Sequence, residues 1–119
     1  MITISKEFVF DAAHKLPGET YGKCNNLHGH TYKLIVTVSG QITKDGWVMN
    51  FSTLKEIVKS LILDNVDHSY LNDFYKMPTA EIMARDFFTT LQPHIADRNC
   101  TLHSIKLYET PTSCCEVTQ

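Results

Sequence analysis

At 119 residues, with 43% hydrophobic and 20% charged side chains, the chain has the size and composition of one globular domain, residues 1–119, and not of a disordered or fibrous protein. Its eleven Lys and Arg and thirteen Asp and Glu are interspersed, for a formal net charge of -2, so there is no basic run to track a phosphate backbone and nucleic acid is not an expected partner. No apolar stretch approaches the ~20 residues that span a bilayer, and the opening "MITISKEFVFDAAH" starts a strand pattern and not a basic segment followed by an apolar one; a cytoplasmic protein with no membrane association is expected.

Residues 2–10 alternate, with Ile2, Ile4, Phe8 and Phe10 on one face and Thr3, Ser5 and Glu7 on the other, which predicts a strand. A second strand is predicted over residues 31–38, where Tyr32, Leu34, Val36 and Val38 share a face and β-branched residues are frequent. The Asp45-Gly46 dipeptide favours a hairpin turn, so "WVMNF" is expected to continue as a strand folding back on the second. The period then changes. Leu54, Ile57, Val58, Leu61 and Ile62 recur at three and four residues and form one stripe of a helix, with Thr53 and Glu56 as a capping box at its start. A second helix is expected after Pro78, capped at or near Thr79, with Met83, Phe87 and Leu91 on its inner face and Pro93 as its stop. "TLHSIKLYE" reads as a strand, "TPTS" as a turn and "CCEVT" as a short closing strand.

Strand, strand, helix, helix, strand, strand is the order of an α+β domain: a four-stranded antiparallel sheet with two helices on one face. Such a sheet has two open edges, and pairing them with copies of the same chain removes the aggregation hazard they present; a homo-oligomer is expected on this ground.

Four cysteines, Cys24, Cys100, Cys114 and Cys115, are expected to be reduced thiols, and the adjacent Cys114 and Cys115 would point to opposite faces of a strand, unlike a metal-binding pair. The heptapeptide "CNNLHGH", residues 24–30, concentrates the chemistry. His28 and His30, one residue apart on extended backbone, emerge on the same side and can grip one ion. His14, ending the first strand, lies where an antiparallel neighbour brings it opposite the start of the second. Three histidines would leave a fourth tetrahedral position open, as in a catalytic zinc site. Cys24 has two readings, a fourth ligand that closes the site or a thiol held off the metal with a lowered pKa; spacing does not separate them. Gly29 allows unusual backbone or close approach by a ligand. Asp67 and His68 could form a proton-transfer pair, against the blander reading of a polar helix end capped by Asp67. Glu109 could bind an amide edge in a bidentate manner, although most such glutamates are only solvated. His94 and His103 have no partner motif.

Taken together, "FDAAHKLP", "CNNLHGHTY", "GWVMNFSTLK", "LDNVDHSYLND", "PTAEIMA" and "LYETPTSCC" resemble, in order and separation and over nearly the whole chain, the 6-pyruvoyl tetrahydropterin synthase family. The resemblance implies the T-fold (tunnelling fold), whose copies close into a barrel, and a homohexamer built as a dimer of trimers. It implies zinc as cofactor, held by His14, His28 and His30, with Cys24 as a catalytic thiol that is not a ligand. Asp67 and His68 become its proton-relay partners and Glu109 the anchor of a small-molecule pterin triphosphate substrate. Thr79 and Glu81 match the segment that meets the pterin from a neighbouring subunit, while Ala80 replaces a hydroxyl residue there.

Within the family the gap between the cysteine and the histidine pair is five residues in mammalian-type pyruvoyl synthases. It is three here, Asn25, Asn26 and Leu27, which resembles the bacterial 6-carboxy-5,6,7,8-tetrahydropterin synthases of queuosine and 7-deazapurine biosynthesis. The activity implied is a lyase that converts 7,8-dihydroneopterin triphosphate to 6-carboxy-5,6,7,8-tetrahydropterin with release of acetaldehyde and triphosphate. The alternative activity is a pyruvoyl synthase that eliminates triphosphate without cutting the carbon chain. The alternative of another class is a non-enzymatic zinc module with Cys24 as fourth ligand. Lys15, Lys23 and Arg85 are candidate triphosphate contacts.

Overall fold

A computed structural model describes residues 1–18, 22, 26–96 and 99–119. Two long strands, β1 (Ile2–His14) and β2 (His28–Gly40), pair antiparallel along their whole length, from Ile2 opposite Gly40 to His14 opposite His28. Both run further than the alternation alone predicts, because the histidines continue the inward-facing series at the metal end. Of the even residues, Phe8, Phe10, Ala12 and His14 in β1 and Tyr32, Leu34, Val36 and Val38 in β2 are buried; the odd residues form the opposite face. Burying one such aliphatic or aromatic side chain contributes roughly 1.5–3 kcal/mol, which fixes the register, since a one-residue slip would move every one of them to solvent.

The expected strand over residues 47–51 does not form. Gly46, at φ 89°, completes a turn whose N–H donates to the Thr43 carbonyl at 2.9 Å, but the chain then bends into a helix. Asn50 starts that helix: its Oδ1 accepts the Ser52 N–H at 2.7 Å, so Asn50, and not a Thr53–Glu56 box, is the N-cap of α1 (Phe51–Val58). α1 continues through a π-helical turn, Lys59–Leu63, into the short α2 (Asp64–Val66). Leu54, Val58 and Ile62 are buried, with Ile57 and Leu61 packed against the core, as the stripe predicts.

Among the described residues the sheet has five strands and not the expected four. β3 (Ser69–Tyr70) pairs parallel with Ala12 and Ala13 on the outer side of β1, giving the order β3-β1-β2-β4-β5. Two residues are too short to carry a periodic signal. After a 3₁₀ turn, Leu71–Asp73, helix α3 (Ala80–Ile95) is capped by Thr79, whose hydroxyl accepts the Ile82 N–H at 3.2 Å. Pro93 lies inside α3 and does not stop it. A proline in the last turn removes one N–H, and the Thr89 residue whose carbonyl it would have served is exposed to water. β4 (Cys100–Thr110) and β5 (Ser113–Thr118) complete the sheet. Cys115 packs against the core and Cys114 is exposed, on opposite faces as expected.

The helices cover the inward face, so the ends of β1, β2 and β4 present their last inward-facing residues beside the N-terminus of α3. No helix among the described residues is long and apolar enough to cross a membrane.

Candidate metal centre and active site

The antiparallel register sets His14 opposite His28 and Ala12 opposite His30, so three imidazoles converge around a side chain no larger than a methyl. One ring nitrogen from each of His14, His28 and His30 lies within 4.8 Å of the other two. His14 Nδ1 lies 2.8 Å from the Pro78 carbonyl oxygen and His28 Nδ1 2.8 Å from that of Asn26. A carbonyl only accepts, so each Nδ1 carries the hydrogen and each Nε2 is left with a bare lone pair. Those two Nε2 atoms face each other at 3.0 Å. His30 Nε2 is buried with no hydrogen-bond partner among the described residues; Glu109 Oε1 stands 3.4 Å away without hydrogen-bond geometry.

Three converging ring nitrogens, with the Nδ1 hydrogens of His14 and His28 turned to backbone carbonyls on the far side, are a poor arrangement for an empty pocket and a good one for a cation. Two nitrogens on one tetrahedral zinc, each about 2.0–2.1 Å from it, would be roughly 3.3 Å apart, close to the His14–His28 spacing. Carbonyl oxygens on the far nitrogens are the partners that metal-bound histidines ordinarily have. The donor set therefore fits zinc. Burial lowers the His30 pKa, opposed by the Glu109 carboxylate and reinforced by His14 and His28, which keeps the ring in its neutral, ligating form.

Tyr32 floors the site. Its ring stacks on Phe10 at 4.9 Å and meets His30 edge-on at 5.7 Å. Burial and the nearby Glu109 carboxylate push its phenol well above the ordinary range, so it stays neutral. Glu109, on the inward face of β4, lines a cavity of about 410 Å³ with His30, Tyr32, Tyr108 and Thr110. Burial first, then Glu81 in the first turn of α3, Cys114 and Glu109, push the Cys115 thiol above its ordinary pKa, which disfavours the thiolate. Thr79 caps α3 one residue after the Pro78 carbonyl that orients His14, so the "PTAE" segment adjoins the metal centre of its own chain. Cys24, with Lys23 and Asn25, lies outside the described residues.

Asp67 and His68 sit apart from the histidine triad. Asp67 ends α2; its Oδ1 accepts the Asp11 N–H at 3.0 Å and stands 3.0 Å from His68 Nδ1. Asp67 thus stands at the helix end, as one reading has it, and its carboxylate is also beside the His68 ring. His68 adopts the left-handed backbone, φ 58°, and its N–H donates to the Asp11 carbonyl at 2.6 Å; the two bonds to Asp11 offset a conformation that costs on the order of 1–3 kcal/mol. The Asp11 carboxylate, which accepts the Thr31 hydroxyl at 2.5 Å, joins them, a neighbour that its place in "FDAAH" does not advertise. Asp11 and Thr31 belong to the odd, outward series. The Asp67–His68 pair therefore gathers on the face of the β1–β2 hairpin opposite the triad.

Gly29, between His28 and His30, has ordinary extended backbone; a Cβ there would meet the Ala12 carbonyl at 3.6 Å. Its lack of a side chain instead leaves open a second cavity, of about 450 Å³, lined by Asp11, Thr31, His30 and His68. Arg85 lines a separate groove between the helices with Leu61, Tyr75 and Phe87, and His94 and His103 are exposed.

The chain has relatives of known family. A 6-carboxy-5,6,7,8-tetrahydropterin synthase of Haemophilus influenzae is 44% identical, the match covering 98% of each chain. One from Synechocystis is 40% identical over 95% of this chain and 90% of its own. Among solved structures, 6-pyruvoyl tetrahydropterin synthase of Caenorhabditis elegans superposes with a TM-score of 0.87 at 31% identity, covering 99% of this chain and 95% of its own. With residues 3–119 matching the family model described as 6-pyruvoyl tetrahydropterin synthase, the chain belongs to that family and has its fold.

Proposed function

We propose that the protein is a zinc-dependent lyase that converts 7,8-dihydroneopterin triphosphate and one water to 6-carboxy-5,6,7,8-tetrahydropterin, acetaldehyde and triphosphate, in queuosine and 7-deazapurine biosynthesis. The observation that carries this reading is the convergence of ring nitrogens from His14, His28 and His30 beside Glu109. His14, His28 and His30 hold zinc, which when bound supplies Lewis-acid activation of the substrate's side-chain oxygens. Glu109 accepts the amino-pyrimidine edge in a bidentate manner and fixes the reacting carbons. Cys24 acts as the base that moves a proton between side-chain carbons, and His68, oriented by Asp67, is the acid or base on the other side. Thr79 and Glu81 add contacts to the pterin.

The triad and the Asp67–His68 pair lie on opposite faces of one hairpin, so a single substrate is best served by groups from two chains. Residues 2–10 of β1 have no strand on their outer side among the described residues. Both features support closure of the sheet into a barrel of copies, read here as a homohexamer. The cytoplasm is its expected compartment.

Cleavage rather than simple elimination is favoured by the three-residue spacer Asn25, Asn26, Leu27 and by the 44% identity to a relative named for the carboxy product. Incubating zinc-loaded protein with dihydroneopterin triphosphate should release acetaldehyde in step with 6-carboxy-tetrahydropterin. A 6-pyruvoyl product with no acetaldehyde would refute the assignment.

A further inference from the structure

Residues 67–72 run alongside the metal end of β1 and are fastened to it from Asp11 to Lys15. At the near end, His68 N–H donates to the Asp11 carbonyl and Asp11 N–H to the Asp67 carboxylate. β3 then pairs with Ala12 and Ala13. The strand ends at His14, yet the next residue is still held on both of its backbone groups. Lys15 N–H donates to Asn72 Oδ1 at 2.9 Å, and Asn72 Nδ2 donates to the Lys15 carbonyl at 2.7 Å. A primary amide offers an acceptor and a donor in one plane, so this half-buried side chain supplies what one more residue of β3 would have supplied.

His14 is thereby bracketed, with main-chain pairing at Ala13 before it and the Asn72 clamp at Lys15 after it. Its ring is fixed separately by the Pro78 carbonyl. Without the clamp, Lys15 is an exposed residue just past a strand end, and the backbone that carries the ligand gains freedom to fray.

We propose that Asn72 is a positioning residue: its side-chain amide, closed on both backbone groups of Lys15, holds the end of β1 that carries His14 in register with the segment that carries Asp67 and His68. This rests on the reading of His14, His28 and His30 as the metal triad. A primary amide of this length suits both bonds. Aspartate of equal size keeps the acceptor but sets a carboxylate against the Lys15 carbonyl, and alanine removes both bonds.

The test compares full-length Asn72→Ala and Asn72→Asp with wild type and with Asn65→Ala, a helix asparagine whose amide reaches only the Leu61 carbonyl. Zinc release to a chromophoric chelator, the ligand-field spectrum of the cobalt-substituted protein, and kcat and KM are measured on each. Both Asn72 variants should release zinc about tenfold faster, shift the cobalt bands and lower kcat, as loss of outer support to a ligand does, while Asn65→Ala matches wild type. Wild-type release rates and cobalt bands in the Asn72 variants would overturn the proposal. Should those variants not fold, amide exchange of Lys15 in wild type decides: strong protection supports the clamp, and exchange at the rate of an open chain refutes it. Wild type that binds neither zinc nor cobalt would sink the metal reading instead, and Lys15 exchange would still report on the clamp.

Discussion

His14 and His28 bring their Nε2 atoms to 3.0 Å while each Nδ1 donates to a backbone carbonyl, from Pro78 and Asn26 respectively. Two bare lone pairs at that distance repel unless a cation or a proton lies between them, and a ring nitrogen of His30 converges on the same point. In the metal-free protein the cost is electrostatic and titratable. Burial depresses the His30 pKa below its value in the unfolded chain, so the unfolded state binds more protons as the pH falls. The stability this group contributes is present above the unfolded pKa, near 6.5, and is lost as the pH falls through the lower folded value. Metal-free wild type should therefore lose denaturant resistance between pH 7.5 and 5.5, and His30→Gln should lose less over the same interval in equilibrium urea unfolding. An equal loss in both would place the titrating group elsewhere.

Glu109 is held 3.4 Å from His30 at the mouth of the cavity, where its carboxylate can reach a substrate's amide edge. Charge-assisted hydrogen bonds contribute about 1.5–3 kcal/mol. Glu109→Gln should lower kcat/KM for dihydroneopterin triphosphate by about tenfold to a hundredfold while leaving zinc content unchanged. Unaltered steady-state kinetics would remove Glu109 from the site.

Asp67 serves two partners with one oxygen, the Asp11 N–H and the His68 ring. Asp67→Asn retains an acceptor for the backbone but not the negative charge that polarises the imidazole. Thermal denaturation should show a shift worth about 1 kcal/mol or less, the bond to Asp11 surviving, while kcat falls by roughly a hundredfold. A large stability loss with activity per folded molecule intact would make the pair structural.

The start of α1 tests a local correction. Asn50→Ala removes the side chain that accepts the Ser52 N–H and should cost about 1 kcal/mol in urea unfolding; Thr53→Ala, with no capping bond to lose, should cost a few tenths. The reverse ranking would restore the Thr53–Glu56 box.

Much of this architecture is legible in the chain because alternation is a direct record of facing. Of the even residues of β1 and β2 that read as one apolar face, Phe8, Phe10, Tyr32, Leu34, Val36 and Val38 are buried while Ile2 is exposed, and the same count carries His14, His28 and His30 to that face. The Leu54 to Ile62 stripe and the Thr79 cap are legible for the same reason: side-chain chemistry alone sets them. Where tertiary contacts decide, the reading fails. Residues 47–51 are β-rich in composition, but Asn50 captures the backbone for a helix. β3 exists only because β1 offers an edge and Asp11 supplies both its hydrogen-bonding groups. Asp11 and Asn72 are ordinary polar residues in sequence, and their placement depends on which backbone groups a distant segment brings within reach.

In the proposed function three histidines leave the metal site open and the Cys24 thiol is free to act as a base. Cys24→Ala tests it most directly, with zinc content and turnover measured on the same preparation. We expect one zinc per wild-type site retained in the variant, with kcat lowered by roughly a hundredfold or more. Loss of zinc together with activity would make Cys24 a fourth ligand, close the site, and contradict the account.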